Sequence, residues 1–290
     1  LVWLDSTEAL GFRRGITHGP IGVALLPVGL AALLLGFDRW QDRRGKRPAG
    51  RDPVRFKWLY ILGLIGAISH TLMDWLNVYG VRFLYPFDKS WYYGDTLFII
   101  DVWLWALLAL GVWWSARTEK RGGSWRAKAL LVFVLACLYT SYNWVVTDSA
   151  WFTFAMNNQK VRPSEENGLG PKPDIPTKVT AASQVPFWPF QRKLILGEHN
   201  RFYVIPSDAI PSPWAAEPIT QSRCDWPDVA AMRRTNSQLD GFLIWSRTPF
   251  AERAADGSII LRDARFYDPL TRERFSFALP DVECVELPSE

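Results

Sequence analysis

Four apolar runs dominate the first half of the chain, and short polar segments separate them. The runs cover Pro20–Phe37, Trp58–Val78, Thr96–Trp114 and Ala129–Val146. Each has about 18–21 residues, the length that an α-helix needs to cross a hydrocarbon core of roughly 30 Å. One such run could be a buried helix of a large soluble protein. Four in succession, with charged loops between them, predict four transmembrane helices.

After residue 148 the pattern changes to short apolar stretches interrupted by proline, glycine and polar residues. Several stretches are rich in β-branched and aromatic residues and predict the strands of a small, mostly antiparallel sheet. These strands are Arg192–Ile195, Arg201–Ile205, Gly241–Ser246, Ser258–Leu261, Ala264–Tyr267 and Arg274–Ala278. Pro227–Asn236 predicts a short helix.

We therefore expect a polytopic α-helical membrane domain followed by a small β-rich extramembrane domain. The predicted boundaries are residues 1–148 for the membrane domain, 149–189 for an irregular, proline-rich linker and 190–290 for the β-rich domain. The chain begins with Leu1 rather than methionine, and we expect that its natural amino terminus is missing.

Basic residues are concentrated in two of the predicted loops. Residues 38–57 and 115–128 are rich in arginine and lysine, whereas residues 79–95 contain two basic and two acidic residues. The positive-inside rule places the two basic loops in the cytoplasm. The amino-terminal segment, the loop 79–95 and the β-rich domain are then extracytoplasmic, in a bacterial inner membrane protein.

The other compositional signals are weaker. The net charge of +4 comes without a nucleic-acid-binding motif, so we expect no nucleic-acid partner. Cys137 lies in an apolar run and is expected to be inert packing. Cys224 and Cys284 could form one disulfide if the β-rich domain is extracytoplasmic.

The second apolar run contains ionisable residues, which are rare at such positions. His70, Asp74 and Asn77 follow one another at i, i+4 and i+7, so they lie on one stripe of a helix. An aspartate near the centre of a membrane helix costs roughly 2.5–3.5 kcal/mol on insertion scales. Such a cost is usually retained for function.

Further polar residues lie at the same predicted membrane face. His18 precedes the first run, and Asp95 and Asp101 lie at the start of the third. Imidazole and carboxylate groups are the ligands of catalytic zinc and also of manganese or iron. We predict that His18, His70, Asp74 and Asp101 bind a divalent metal ion, with zinc the first choice. Asp95 is predicted to position or deprotonate a water molecule.

Simpler interpretations of these residues remain open. His70 and Asp74 could be a polar pair that joins two helices, an interaction of about 1 kcal/mol in a membrane. Asp101 could instead pair with Arg13 or Arg14. Thr17 could cap the helix that follows it.

Several ordered motifs resemble the YdjM family of bacterial inner-membrane proteins, which are regarded as metal-dependent hydrolases. The motifs are Arg13-Arg14-Gly15-Ile16-Thr17-His18-Gly19, the segment from Ser69 to Gly80, Tyr85-Pro86-Phe87, and the segment from Asp95 to Asp101. The resemblance covers residues 10–115 and implies a membrane-embedded hydrolase with His18, His70, Asp74 and Asp101 as ligands. Members usually have an earlier helix with a histidine and a Pro-Asp-x-Asp turn, and a histidine where this chain has Phe12.

We therefore expect a membrane-bound, metal-dependent hydrolase with its site near the extracytoplasmic face. A site at that depth meets membrane lipids first, so a lipid-linked or phosphoester substrate is predicted. The β-rich domain lacks a recognisable catalytic motif and would capture substrate or cover the site. A non-catalytic scaffold is the alternative. A transporter is disfavoured because the inner halves of the apolar runs lack polar residues.

Overall fold

The computed structural model describes residues 6–48, 50–160, 178–206 and 216–287. The helices in the first part are α1 (Ser6–Phe12), α2 (Pro20–Arg43), α3 (Phe56–Trp75), α4 (Val102–Lys120) and α5 (Trp125–Lys160). The chain divides into two compact units. One is Phe12–Gly94, and the other consists of Leu1–Gly11 together with Asp95–Glu290.

In the Phe12–Gly94 unit, α2 and α3 pack side by side as an antiparallel pair. The loop between them is organised by Asp38, which is 2% exposed and accepts hydrogen bonds from Arg47, Arg51 and the Val54 backbone N–H. Because the connecting loop lies at one end of the pair, the start of α2 and the end of α3 meet at the other end. This topology brings the two histidine-containing motifs of the sequence together.

The segment after α3 packs against the turn that precedes α2. Val81 and Tyr92 form an antiparallel bridge, and Arg82 donates its backbone N–H to the Arg14 carbonyl at 3.0 Å. A Cβ atom at Gly19 would overlap the carbonyl oxygen of Tyr85, so only glycine allows this close approach. The loop therefore fixes the turn that carries His18.

In the other unit, α4 and α5 form a second helical pair, connected by a short turn. The Asp101 side chain caps α4 by accepting a hydrogen bond from the Leu104 backbone N–H. A Cβ atom at Gly111 would overlap the side chain of Val132, which shows how closely the two helices pack.

Three helices are long and apolar enough to cross a membrane within the described ranges: Pro20–Arg43, Phe56–Trp75 and Trp125–Met156. Only 6–17% of each apolar window is buried, so their side chains need apolar surroundings outside the protein. The fourth predicted span, Thr96–Trp114, is not among the three. It becomes the 19-residue helix α4, in which four tryptophans and the charged last turn lower the mean hydropathy.

The carboxyl-terminal part is rich in antiparallel β-structure, as predicted. One sheet has the order β1 (Val179–Val185), β2 (Trp188–Glu198), β3 (Arg201–Ile205) and β4 (Glu217–Pro218). The other has the order β5 (Pro249–Arg253), β6 (Ser258–Asp263) and β7 (Ser276–Glu283). Strand β2 packs against α5, and apolar residues of β1, β2 and β3 share a core with Ala150 and Phe154.

Two predicted strands are wrong. Gly241–Ser246 lies mainly in helix α7 (Ser237–Trp245), since Asn236 caps that helix and Leu239, Phe242 and Trp245 recur at helical spacing on its buried face. Ala264–Phe266 forms a 3-10 helix, because the Asp263 side chain accepts the Arg265 backbone N–H and ends β6. The helix predicted over Pro227–Asn236 is shorter, α6 (Val229–Met232).

The segment predicted as an irregular linker is partly regular. Helix α5 continues to Lys160, and β1 begins at Val179; residues 161–177 lie outside the described residues. The side chains of Trp151 and Phe154 pack on the sheet, so the helix extends beyond the apolar run. The domain boundaries at residues 148 and 189 stay predictions. Cys224 and Cys284 are disulfide-bonded, as the sequence allowed.

Candidate metal centre

His18 is held by a tight turn directly before α2. Its backbone N–H donates to the Gly15 carbonyl at 2.9 Å, and the Gly19 N–H donates to the same oxygen at 2.9 Å. Pro20 then starts α2, where its missing N–H costs nothing and its fixed φ favours the helix. The imidazole of His18 therefore projects from a rigid helix entry.

His70 and Asp74 lie one turn apart near the end of α3 and face His18. The Asp74 Oδ2 atom is 2.9 Å from His18 Nε2 and 3.7 Å from His70 Nε2. The two imidazole rings are 5.2 Å apart between centroids. One ligand atom from each of the three residues lies within 4.8 Å of the others, a spacing compatible with binding to one metal ion.

The other oxygen of the Asp74 carboxylate, Oδ1, pairs with Arg14. The guanidinium Nη2 is 2.9 Å from Asp74 Oδ1, and Nη1 donates to Asn77 Oδ1 at 2.9 Å and to the Gly80 carbonyl at 3.1 Å. The guanidinium also stacks over the Tyr79 ring at 4.4 Å. Burial lowers the pKa of Arg14, but an arginine so close to a carboxylate stays protonated at neutral pH. Arg14 thus orients Asp74 and leaves Oδ2 for the imidazoles.

The His18 ring has one satisfied and one unsatisfied nitrogen. Its Nδ1 lies 2.8 Å from the Thr17 hydroxyl oxygen, whereas the buried Nε2 has no partner in hydrogen-bonding geometry. With the proton on Nδ1, the Nε2 lone pair points towards the carboxylate; with the proton on Nε2, the ring and Asp74 form an ion-pair contact. In the first arrangement a divalent ion would bind between the two electron-rich atoms, and the three residues offer the donor types that such an ion takes.

Asp101 belongs to the other compact unit, where its carboxylate has protein partners. It accepts hydrogen bonds from the Tyr139 hydroxyl at 2.9 and 3.0 Å and from Gln184 Nε2 at 3.1 Å, in addition to the cap on α4. Arg14, one of the two arginines considered as partners of Asp101, pairs with Asp74. These contacts favour a structural role, and metal binding by Asp101 stays a prediction.

Asp95, the predicted catalytic residue, is 5% exposed and lies in the same unit as Asp101. Arg247 Nη1 is 3.0 Å from each of its carboxylate oxygens, and the Ala182 backbone N–H donates to it at 3.2 Å. Burial raises the pKa of Asp95, although Arg247 opposes that shift. The proposed action of Asp95 on water stays a prediction.

Comparison with known proteins identifies the family. The profile of the YdjM inner membrane protein family matches residues 1–150, which is more than half of the chain. The chain belongs to the YdjM family. No curated protein matches it, and no solved structure does.

The YdjM match contains the whole histidine–aspartate cluster and extends the resemblance seen in the motifs. Sequence reasoning missed two residues of the site. Arg14 was considered only as one possible partner of Asp101, although its position beside the His18 turn and the cost of an unpaired carboxylate in a membrane helix were available signals. Thr17 was considered as a possible cap of α2, but Gly19 holds the cap position and Thr17 contacts His18 instead.

Proposed function

We propose that this YdjM protein is a membrane-bound, metal-dependent hydrolase in which His18, His70 and Asp74 hold a divalent cation. The observation that carries the proposal is the convergence of two imidazole Nε2 atoms on one carboxylate oxygen, at 2.9 and 3.7 Å. Two nitrogen ligands and one oxygen ligand leave an open position, as catalytic zinc sites do. Zinc is the first choice, and manganese or iron suit the same donors.

Some residues around the cation would bind it, and others orient the binding side chains. Arg14 fixes Asp74 through Oδ1, and Thr17 fixes the ring of His18 through Nδ1. His70 is 68% exposed and is the most accessible member of the cluster, so the open side of the site lies next to it. When bound at such a site, a divalent cation lowers the pKa of a water molecule and polarises a carbonyl or phosphoryl oxygen.

One observation supports an extracytoplasmic position for the cluster, and another supports it for the β-rich part. The loop at the opposite end of the α2–α3 pair carries the excess of arginine and lysine, which the positive-inside rule assigns to the cytoplasm. The Cys224–Cys284 disulfide of the β-rich part is typical of an oxidising compartment. At this membrane face the site would meet headgroups, which supports a lipid-linked or phosphoester substrate.

Metal analysis of the purified protein tests the proposal. We expect about one equivalent of metal in the wild type and a large loss in His70→Ala and Asp74→Ala, because three ligands cannot be reduced to two without weakening a site. His199→Ala is the matched control, since this histidine is 90% exposed in the β-rich part. Equal metal content in all four proteins would contradict the metal site and leave the scaffold alternative.

Hydrolysis is tested separately with the metal-loaded protein in lipid nanodiscs. Fluorogenic phosphoesters and carboxylic esters with acyl chains are the probes, and we expect turnover that requires both His70 and Asp74. Metal binding without turnover of any probe would separate a structural metal site from a hydrolase.

Orientation has its own test. Reporter fusions after Gly80 and after Lys160 should give extracytoplasmic signals. Cytoplasmic signals at both positions would reverse the proposed face of the membrane, without affecting the metal assignment.

A further inference from the structure

The turn between β1 and β2 carries an unusual group of exposed aromatic side chains. Phe187, Trp188 and Phe190 are 67%, 61% and 65% exposed. In the rest of the described β-rich part, residues 178–206 and 216–287, the other large apolar side chains with such exposure are Leu270 and Val285. Three neighbouring exposed rings on one hairpin form a patch that water does not favour. We call these three residues the aromatic tip.

The aromatic tip touches the helical pair α4–α5 of the same unit. The indole N–H of Trp103 donates to the Phe187 carbonyl at 2.9 Å. The Phe190 ring meets the Tyr142 ring edge-on, with centroids 5.7 Å apart. Trp103 and Tyr142 are themselves about half exposed on the outer surface of their helices. The patch is therefore continuous with the apolar surface of the helices.

The backbone of the hairpin is fixed by a buried arginine. Arg192 is 1% exposed and donates to the carbonyls of Pro189 and Gln191 at 2.8 and 2.9 Å. It also donates to the Thr147 hydroxyl of α5 at 2.8 Å. The rings of the aromatic tip are thus presented by a rigid support rather than by a loose loop.

Distances along the helices locate the aromatic tip relative to a bilayer. Seventeen residues separate Trp103 from Lys120, the end of α4, and seventeen separate Trp125, the start of α5, from Tyr142. At 1.5 Å per residue both intervals are about 26 Å, close to the roughly 30 Å of a hydrocarbon core. With the start of α5 at one membrane boundary, Tyr142 and the hairpin that contacts it lie near the other.

We propose that the aromatic tip inserts into the interfacial layer of the lipid bilayer in which α5 lies. Tryptophan and other aromatic rings favour this layer, where the apolar ring meets acyl chains and polar atoms reach the headgroups. The β-rich part is then a membrane-surface domain with its own lipid contact. The inference rests on the membrane placement of α5 and is independent of the metal cluster.

Site-directed spin labelling in lipid nanodiscs tests this contact in the full chain. Cys137, the free cysteine on the exposed surface of α5, is first replaced by serine, and the Cys224–Cys284 disulfide is left intact. Labels are then placed separately by Trp188→Cys, Phe187→Cys and Leu270→Cys. Leu270 is the matched control because it is 89% exposed on the same part of the chain.

Collision with oxygen, which concentrates in the bilayer, is compared with collision with a water-soluble nickel chelate. We expect the ratio of the two to be several-fold higher at positions 187 and 188 than at position 270. Ratios at 187 and 188 equal to that at 270 would overturn the proposal. Two labelled positions are used so that one variant that fails to fold leaves the other to decide.

Discussion

Two polar clusters are each built around an aspartate, yet the contacts of the two carboxylates differ. In the Phe12–Gly94 unit, Asp74 meets one arginine and two imidazoles, with His18 Nε2 2.9 Å from its Oδ2 atom. In the other unit, Asp101 accepts hydrogen bonds from Tyr139, Gln184 and a backbone N–H. The Asp74 carboxylate therefore lies among imidazole nitrogens with which it suits a shared cation. The Asp101 carboxylate lies among hydrogen-bond donors that satisfy it.

This difference distinguishes a candidate binding site around Asp74 from a group of hydrogen-bonded residues around Asp101 that holds the fold together. We call the second group the structural joint. Buried polar groups that are fully hydrogen-bonded stabilise and position a fold. A carboxylate oxygen that two imidazole nitrogens approach has instead the donor set of a metal site. Position at a helix end alone does not distinguish the two cases. Asp74 lies near the end of α3, and Asp101 caps the start of α4.

The largest expected effect comes from breaking the structural joint at Arg192. This guanidinium donates to Thr147, to the Thr96 carbonyl at 3.1 Å and to Asn143 at 2.9 Å, and burial lowers its pKa to about 10. Arg192→Leu leaves these buried acceptors without a donor. We expect the free energy of unfolding to fall by about 3 kcal/mol or more. Unfolding in micelles, followed by tryptophan fluorescence, measures the change.

Arg253→Leu is the control for that measurement. Arg253 is 50% exposed and pairs with Glu286 at 2.8 Å on the surface, so its loss should destabilise the protein far less than the loss of Arg192. Metal content should be unchanged in both variants. If Arg192→Leu were no more destabilising than Arg253→Leu, the polar joint would not hold this unit together.

The second prediction exchanges one carboxylate in each cluster for an amide. Asp74→Asn should weaken zinc binding by at least about 100-fold, since loss of even an outer partner of a ligand costs roughly 10–100-fold. Asp101→Asn should retain zinc binding but lower the thermal midpoint, because its new amide N–H₂ faces the donors of Tyr139 and Gln184. Titration calorimetry and thermal unfolding of both proteins measure the two effects.

Equal loss of zinc in the two variants would erase the distinction between the clusters. It would restore the four-ligand site that the sequence predicts, with Asp101 as a ligand. Unchanged zinc binding in Asp74→Asn would remove the metal centre altogether.

The local pattern of apolar residues was enough to predict several of the helices and strands. Apolar runs gave α2, α3 and α5, and β-branched stretches gave β3 and β6 with nearly correct bounds. Helix α7 was mistaken for a strand because Phe242–Trp245 is a short run of aromatic and branched apolar residues, and the Asn236 cap was not weighed. The length of the apolar run Thr96–Trp114 predicted a fourth span, but the four tryptophans and the charged last turn of α4 reduce its hydropathy.

The spacing of residues within one helix was the strongest basis for predicting the candidate site. The i, i+4 spacing of His70 and Asp74 fixes their proximity, and the antiparallel pairing of α2 and α3 adds His18. The partners of Asp95 and Asp101 could not be foreseen, since Arg247 and Gln184 are 152 and 83 residues away from them in the chain. Contacts at that separation depend on tertiary packing and leave no periodic signal.

The smallest expected effect concerns the residue that orients a ligand without being one. The Thr17 hydroxyl lies 2.8 Å from His18 Nδ1 and holds the ring so that Nε2 faces Asp74. Thr17→Val keeps the shape of the side chain but removes this hydrogen bond, so we expect zinc affinity to fall about tenfold with stability nearly unchanged. Ser69→Ala is the control, because the Ser69 hydroxyl donates to the Gly66 carbonyl at 3.0 Å and has no contact with the imidazoles. A tenfold loss in Thr17→Val alone would show that ring orientation matters, whereas equal affinities in both variants would mean that His18 is held by its backbone turn and by Asp74.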